Sequence, residues 1–100
     1  MRDFTEIHAL IVKLAPEIQA LVDEEFRKCN GIPPPDSGLD QEGLRNGQEI
    51  VLDYANFNEY GEAYAHLIYM VSETGIVITQ QTRNELNDLA LKMETSPEVK

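Results

Sequence analysis

The chain has 100 residues, 42% hydrophobic and 26% charged, the proportions of a globular domain rather than a disordered one. Eighteen acids face eight bases, a net charge of −10, and such a field repels phosphate backbones and anionic membrane surfaces while attracting cationic partners. One domain of this length buries only roughly 60–65% of its unfolded surface, which excludes a deep substrate cavity.

Residues 1–30 read as helix. Ile7, Leu10, Ile11, Leu14, Ile18, Leu21, Val22 and Phe26 recur at spacings of three and four and form one apolar stripe. Asp3 and Glu6 have the spacing of a capping box. Pro16 removes a backbone donor and crowds the carbonyl of Val12, which predicts a kink or a very tight break, although the stripe keeps its phase. Asn30-Gly31 supplies a helix stop. Over residues 30–40, Pro33, Pro34 and Pro35 hold the chain extended, and a stiff linker is the better reading than a Pro-rich recognition ligand.

Asp40 is placed to cap a second helix over residues 41–56, with Leu44, Gly47, Val51 and Tyr54 or Ala55 inward. Gly43 and Gly47 weaken that helix, and either fraying or close approach of a neighbour accounts for them. After a break at Phe57-Asn58, a third helix is predicted over 59–72, with Tyr60, Ala63, Tyr64, Leu67, Ile68 and Val71 inward and Gly75 as its stop. Ile76-Val77-Ile78 is too short for a sheet and is expected to plug the core. Thr79 then caps a last helix reaching Met93, with Leu86, Leu89, Ala90 and Met93 inward, before Ser96-Pro97 and a loose tail over 95–100. The expectation is a single all-α domain, a small bundle of four or five helices.

Catalytic patterns are mostly absent. There is no Gly-rich phosphate loop, no cysteine pair for zinc and no serine in a nucleophile-elbow context. The lone Cys29 excludes an intrachain disulfide and lies at a helix C-terminus, where the dipole opposes a thiolate. His8, beside the apolar stripe, reads as a partly buried structural histidine. Glu59, Glu62 and His66 share a helical face, but the di-iron pattern wants His three residues after Glu, twice, so a solvated acidic face is the better reading. Asp53 with Glu59 or Glu62 as a glycosidase pair lacks the cleft that chemistry needs. We therefore expect no enzymatic activity, no cofactor and no metal. The N-terminus has neither a signal peptide nor a spanning apolar run, so a cytoplasmic location is expected.

The acid is unevenly spread. Residues 36–75 hold eight acids (Asp36, Asp40, Glu42, Glu49, Asp53, Glu59, Glu62 and Glu73) against Arg45 alone, and so carry −7 of the −10. Glu49 and Asp53 are a like-charge pair one helical turn apart, which costs a few tenths of a kcal/mol in an isolated helix. Tyr54, Tyr60, Tyr64 and Tyr69 all fall in this segment, beside Phe57, and Tyr69 lies off the inward stripe, so it is expected at the surface. Carboxylates around an exposed ring suit arginine- and lysine-lined surfaces, such as those with which nucleases hold phosphate. Glu49, Asp53, Glu59, Glu62 and Tyr69 are accordingly the candidate partner-binding residues.

Glu59-Tyr60-Gly61-Glu62-Ala63, then Leu67, Ile68 and Glu73, followed by the Ile-Val-Ile-Thr connection and a closing helix with Leu86, Leu89 and Met93, carry a family resemblance. Over residues 49–93 the chain resembles the immunity proteins of Maf-type polymorphic toxin systems and, more loosely, those of contact-dependent inhibition and of nuclease colicins. The Pro16 helix and the triple proline have no counterpart in that likeness. The resemblance implies a cytoplasmic, all-helical antidote to a basic toxin domain, often a ribonuclease or deoxyribonuclease, acting by covering its active site or substrate-binding surface. The net charge, independently of that likeness, argues against direct contact with nucleic acid or membrane. The alternative is a helical adaptor, or a subunit of a larger assembly, that binds through an apolar surface.

Overall fold

The apolar stripe of the first thirty residues folds as one helix. The computed structural model describes residues 4–93, and in it α1 runs unbroken from Phe4 to Lys28. Pro16 sits on the exposed side of α1, near Val12, which is 45% exposed, so the carbonyl it leaves without a donor faces water rather than core. The helix closes in a Schellman motif. The Gly31 N–H donates to the Phe26 carbonyl at 2.7 Å and the Asn30 N–H to the Arg27 carbonyl at 3.1 Å, both residues having positive φ.

Three more helices follow: α2 (Gly47–Asn56), α3 (Tyr60–Thr74) and α4 (Gln80–Lys92), with no strand among the described residues. Phe4 stacks on Tyr60 at 5.7 Å, which brings the starts of α1 and α3 together. Lys13 pairs with Glu85 and Lys92 with Glu6, which sets α4 antiparallel to α1. The result is an up-down-up-down bundle in which α1 packs on each of the other three helices and α2 packs on α3. Ile7, Ile11, Leu14, Ile18 and Val22 of α1 meet Val51, Leu67, Met70, Leu86 and Leu89, all fully buried. Each such side chain contributes about 1.5–3 kcal/mol on leaving water.

One polar residue lies inside this stripe. Gln19, buried at 6% exposure, donates to the Leu44 carbonyl at 3.0 Å and to Asp23 at 2.8 Å, while its own carbonyl accepts the Gln48 N–H at 2.7 Å. It thereby fastens the start of α2 to the middle of α1.

The second helix is shorter than its sequence predicts. Residues 41–46 form successive turns and α2 begins at Gly47, because Gly43 takes a φ of +83°, which no helix accommodates. Asp40 does not cap α2. Its carboxylate accepts the Asp36 N–H at 3.1 Å, and Asn46 stands at the cap without a side-chain bond. Gly47 lies directly against Met70 of α3, so close approach is its reason.

Residues 29–46 are therefore not a free linker but a layer fastened to α3. The Tyr69 hydroxyl donates to the Glu42 carbonyl at 2.9 Å, His66 Nε2 lies 2.8 Å from the Gly43 carbonyl, and Gly38 packs so tightly on the Glu73 carbonyl that a Cβ there would stand 1.8 Å from the oxygen.

Gly75 ends α3 in the left-handed conformation, and the Thr79 hydroxyl accepts the Thr82 N–H at 3.0 Å to open α4. Between them, Ile78 is buried and Ile76 half-buried, while Val77 is 88% exposed, so alternate residues of this segment plug the core. The capping role of Asp3 and the stop at Ser96-Pro97 with its tail lie outside the described residues. Among the described residues no helix is long and apolar enough to cross a membrane.

Candidate functional site

Charge is arranged differently in the two halves of the bundle. On α1 and α4, Lys13 bridges Glu17 and Glu85, Arg27 pairs with Glu24, Lys28 with Glu25, and Lys92 with Glu6 and Asp88. These pairs perturb their members as expected. Hydrogen bonding to Glu85 raises the Lys13 pKa, that to Glu25 raises Lys28, and the Arg27 guanidinium lowers Glu24. Asp23 instead accepts the Gln19 amide.

Among the described residues, none of the eight acids in residues 36–75 enters a salt bridge. The one base of that segment is directed elsewhere, since Arg45 lies over the Phe26 ring at 4.2 Å and donates to the Gly31 carbonyl. Asp36, Asp40, Glu42, Glu49, Asp53, Glu59, Glu62 and Glu73 are all exposed.

The helices distribute the five candidate residues. Val51 points into the core, so the 100° step per residue sends Glu49 and Asp53 outward on α2. Glu59 is the N-cap residue of α3 and Glu62 lies in its first turn, where carboxylates also offset the positive end of the helix dipole. A tight α2–α3 turn brings Asp53, Glu59 and Glu62 to one corner, with Glu49 a turn further back along α2. Tyr69 stands apart. It is ten residues, about 15 Å, along α3 from Glu59. It is only half-exposed, its ring leans on His66 at 5.3 Å and its hydroxyl holds the Glu42 carbonyl. Burial, then the charges of Glu73 and Glu42, push its pKa up. Tyr69 thus anchors the 41–46 turns rather than offering a free ring.

The exposed ring of this region is Phe57, 70% exposed at the close of α2. A second Schellman motif fixes it. The Glu59 N–H donates to the Tyr54 carbonyl at 2.8 Å and the Asn58 N–H to the Ala55 carbonyl at 3.1 Å, with Asn58 at φ +61°. The Tyr60 hydroxyl donates to the Asn58 side chain at 3.0 Å and braces the turn. Phe57 was legible in principle: it falls four residues after Asp53, off the 47/51/55 stripe, and precedes an asparagine able to adopt positive φ.

Among the described residues no three of His, Cys, Asp and Glu are grouped to hold a metal, and His66 Nε2 faces the Gly43 carbonyl. A depression of about 240 Å³ between α1 and α2, lined by Gln19, Arg45, Asn46, Gln48, Glu49 and Leu52, is shallow and open. What the α2–α3 face presents is fixed, uncompensated negative charge around an exposed aromatic ring. A scan against protein-family models finds no match, and neither a search of the curated proteins nor one of the solved structures finds any.

Proposed function

We propose that this chain is an inhibitory binding protein, an immunity protein that neutralises a basic toxin domain, with a nuclease as the favoured target. The observation that carries this reading is the segregation of charge. Residues 36–75 hold eight exposed acids with no ion pair among the described residues, while Glu6, Glu17, Glu24, Glu25, Glu85 and Asp88 are matched by bases. Uncompensated carboxylates on a rigid helical face repel one another until a cationic surface covers them. A nuclease must line its substrate groove with arginine and lysine to hold phosphate, and acids on helices can stand where those phosphates would lie. The reading places the protein in the cytoplasm, with no cofactor and no catalytic step of its own.

The test is capture of partners from the host on tagged protein at low and at high salt, with identification by mass spectrometry and a nuclease assay of the eluate. A stoichiometric basic domain, released by salt and inhibited on re-addition of the protein, is the expected result. Recovery of the protein alone, or with a partner retained at high salt through an apolar interface, would sink the reading and favour the adaptor.

A further inference from the structure

The chain holds two Asn-Gly pairs, Asn30-Gly31 and Asn46-Gly47, and both asparagines are exposed. In this dipeptide the main-chain nitrogen after the asparagine can attack the side-chain amide, because glycine has no Cβ to obstruct the approach. The attack needs a nitrogen free to give up its proton, so hydrogen bonding decides between the two pairs. Gly31 is held on both sides. Its N–H donates to the Phe26 carbonyl at 2.7 Å, its carbonyl accepts from Arg45, and the Asn30 N–H donates to the Arg27 carbonyl at 3.1 Å. The Gly47 N–H, by contrast, makes only a long bond of 3.4 Å to the Leu44 carbonyl. Asn46 makes no capping bond with its side chain, so the first turn of α2 lacks the closure that the last turn of α1 has.

We propose that Asn46 is a deamidation site, at which the chain modifies its own α1–α2 joint without an enzyme or a partner. The Gly47 nitrogen bonds to Asn46 Cγ. The Cγ–Nδ2 bond breaks, and Nδ2 leaves as ammonia with the proton that the Gly47 nitrogen gives up. Water then opens the five-membered imide. Opening at Cγ yields aspartate and opening at the main-chain carbonyl yields isoaspartate, each with one more negative charge than before. Aspartate keeps the chain intact and sets a carboxylate at the positive end of α2. Isoaspartate routes the main chain through the side chain, one methylene longer, where Gly47 is pressed on Met70 and Gln19 holds the Gln48 N–H. Gln19 also governs the rate. The Asn46 ψ is 26°, and the rotation that brings the Gly47 nitrogen to Cγ carries Gln48 away from Gln19.

The experiment warms the full chain in mildly alkaline buffer, digests samples over time and follows each asparagine by mass spectrometry, with aspartate and isoaspartate resolved. In the folded chain Asn46 should convert several-fold faster than Asn30. In urea the two should convert at similar rates, which assigns the difference to the fold. Gln19→Ala should speed conversion at Asn46 several-fold and leave Asn30 unchanged, whereas a variant that merely unfolded would raise both. Asn46→Asp should unfold at the wild-type urea concentration or above it. The isoaspartate fraction, separated by ion exchange, should unfold below it. The proposal falls if Asn46 does not convert in the folded chain, or if Asn30 keeps pace with it there. It falls equally if the difference persists in urea, or if Gln19→Ala raises the two sites together.

Discussion

Along α1 and α4 the lysines lie against carboxylates, Lys13 between Glu17 and Glu85 and Lys92 between Glu6 and Asp88, whereas the α2–α3 half leaves its acids facing water. The two halves share one core, since α1 packs on α2 and α3 as well as on α4, so the difference is confined to the surface. Exposed ion pairs add little to stability, and their absence from residues 36–75 costs the fold little. What differs is the field each half projects. The paired half carries only −3 of the −10, and the other is a concentrated anion with an exposed aromatic ring at its α2–α3 turn.

The comparison can be broken most severely where the halves are joined. Gln19→Ala leaves the Gln48 N–H without its partner and the Leu44 carbonyl with only the long 3.4 Å bond from the Gly47 N–H, and a loss of about 2–3 kcal/mol is expected in urea denaturation. A sharper test neutralises each half separately. Changing Glu59 and Glu62 to Gln should slow association with a cationic partner about tenfold at low salt, while the same change at Glu24 and Glu25 should leave the rate unaltered. Equal slowing in stopped-flow measurements would show that net charge alone matters.

Tyr69→Phe removes the bond to Glu42, with an expected loss of about 1 kcal/mol. Its pH signature is distinct. Because the folded state raises the Tyr69 pKa above its ordinary value of 10.0, the folded protein holds that proton more tightly than the unfolded chain. The associated stability is full below pH 10 and is lost as pH rises through the folded pKa. Denaturation midpoints above pH 10 should therefore fall more steeply in the wild type than in Tyr69→Phe. The smallest effect is that of salt. Screening the unpaired acids should stabilise the wild type by a few tenths of a kcal/mol between low salt and about 0.15 M, and less in the variant lacking Glu59 and Glu62.

Much of the bundle is legible in the sequence because three of its helices bury a regular stripe. Ile7 to Phe26, Ala63 to Leu67 and Leu86 to Ala90 announce α1, α3 and α4, and Gly75 and Thr79 mark the turn between the last two. The start of α2 is not legible, because Leu44 is buried from a turn rather than from a helix and so continues the apolar spacing of Val51 falsely. The fastening of residues 29–46 is hidden for a different reason: its contacts come from Tyr69, His66 and Gln19, polar residues whose partners lie 23 to 27 positions away. At the candidate site the excess of acid could be read directly from composition. The exposure of Phe57 follows from its place off the 47/51/55 stripe, but the withdrawal of Tyr69 does not show in the sequence, since it depends on the turns that occupy its hydroxyl.

The attachment of α4 has a consequence for motion. This helix rests chiefly on α1, and Lys13–Glu85 and Lys92–Glu6 join segments more than seventy residues apart in the chain. It can swing away from α1 in a local opening that breaks none of the bonds holding the α2–α3 corner. Amide protons of α4 should therefore exchange with deuterium sooner than those of α3, and a partner seated on the corner should slow exchange in α2 and α3 while leaving α4 nearly as fast as in the free protein.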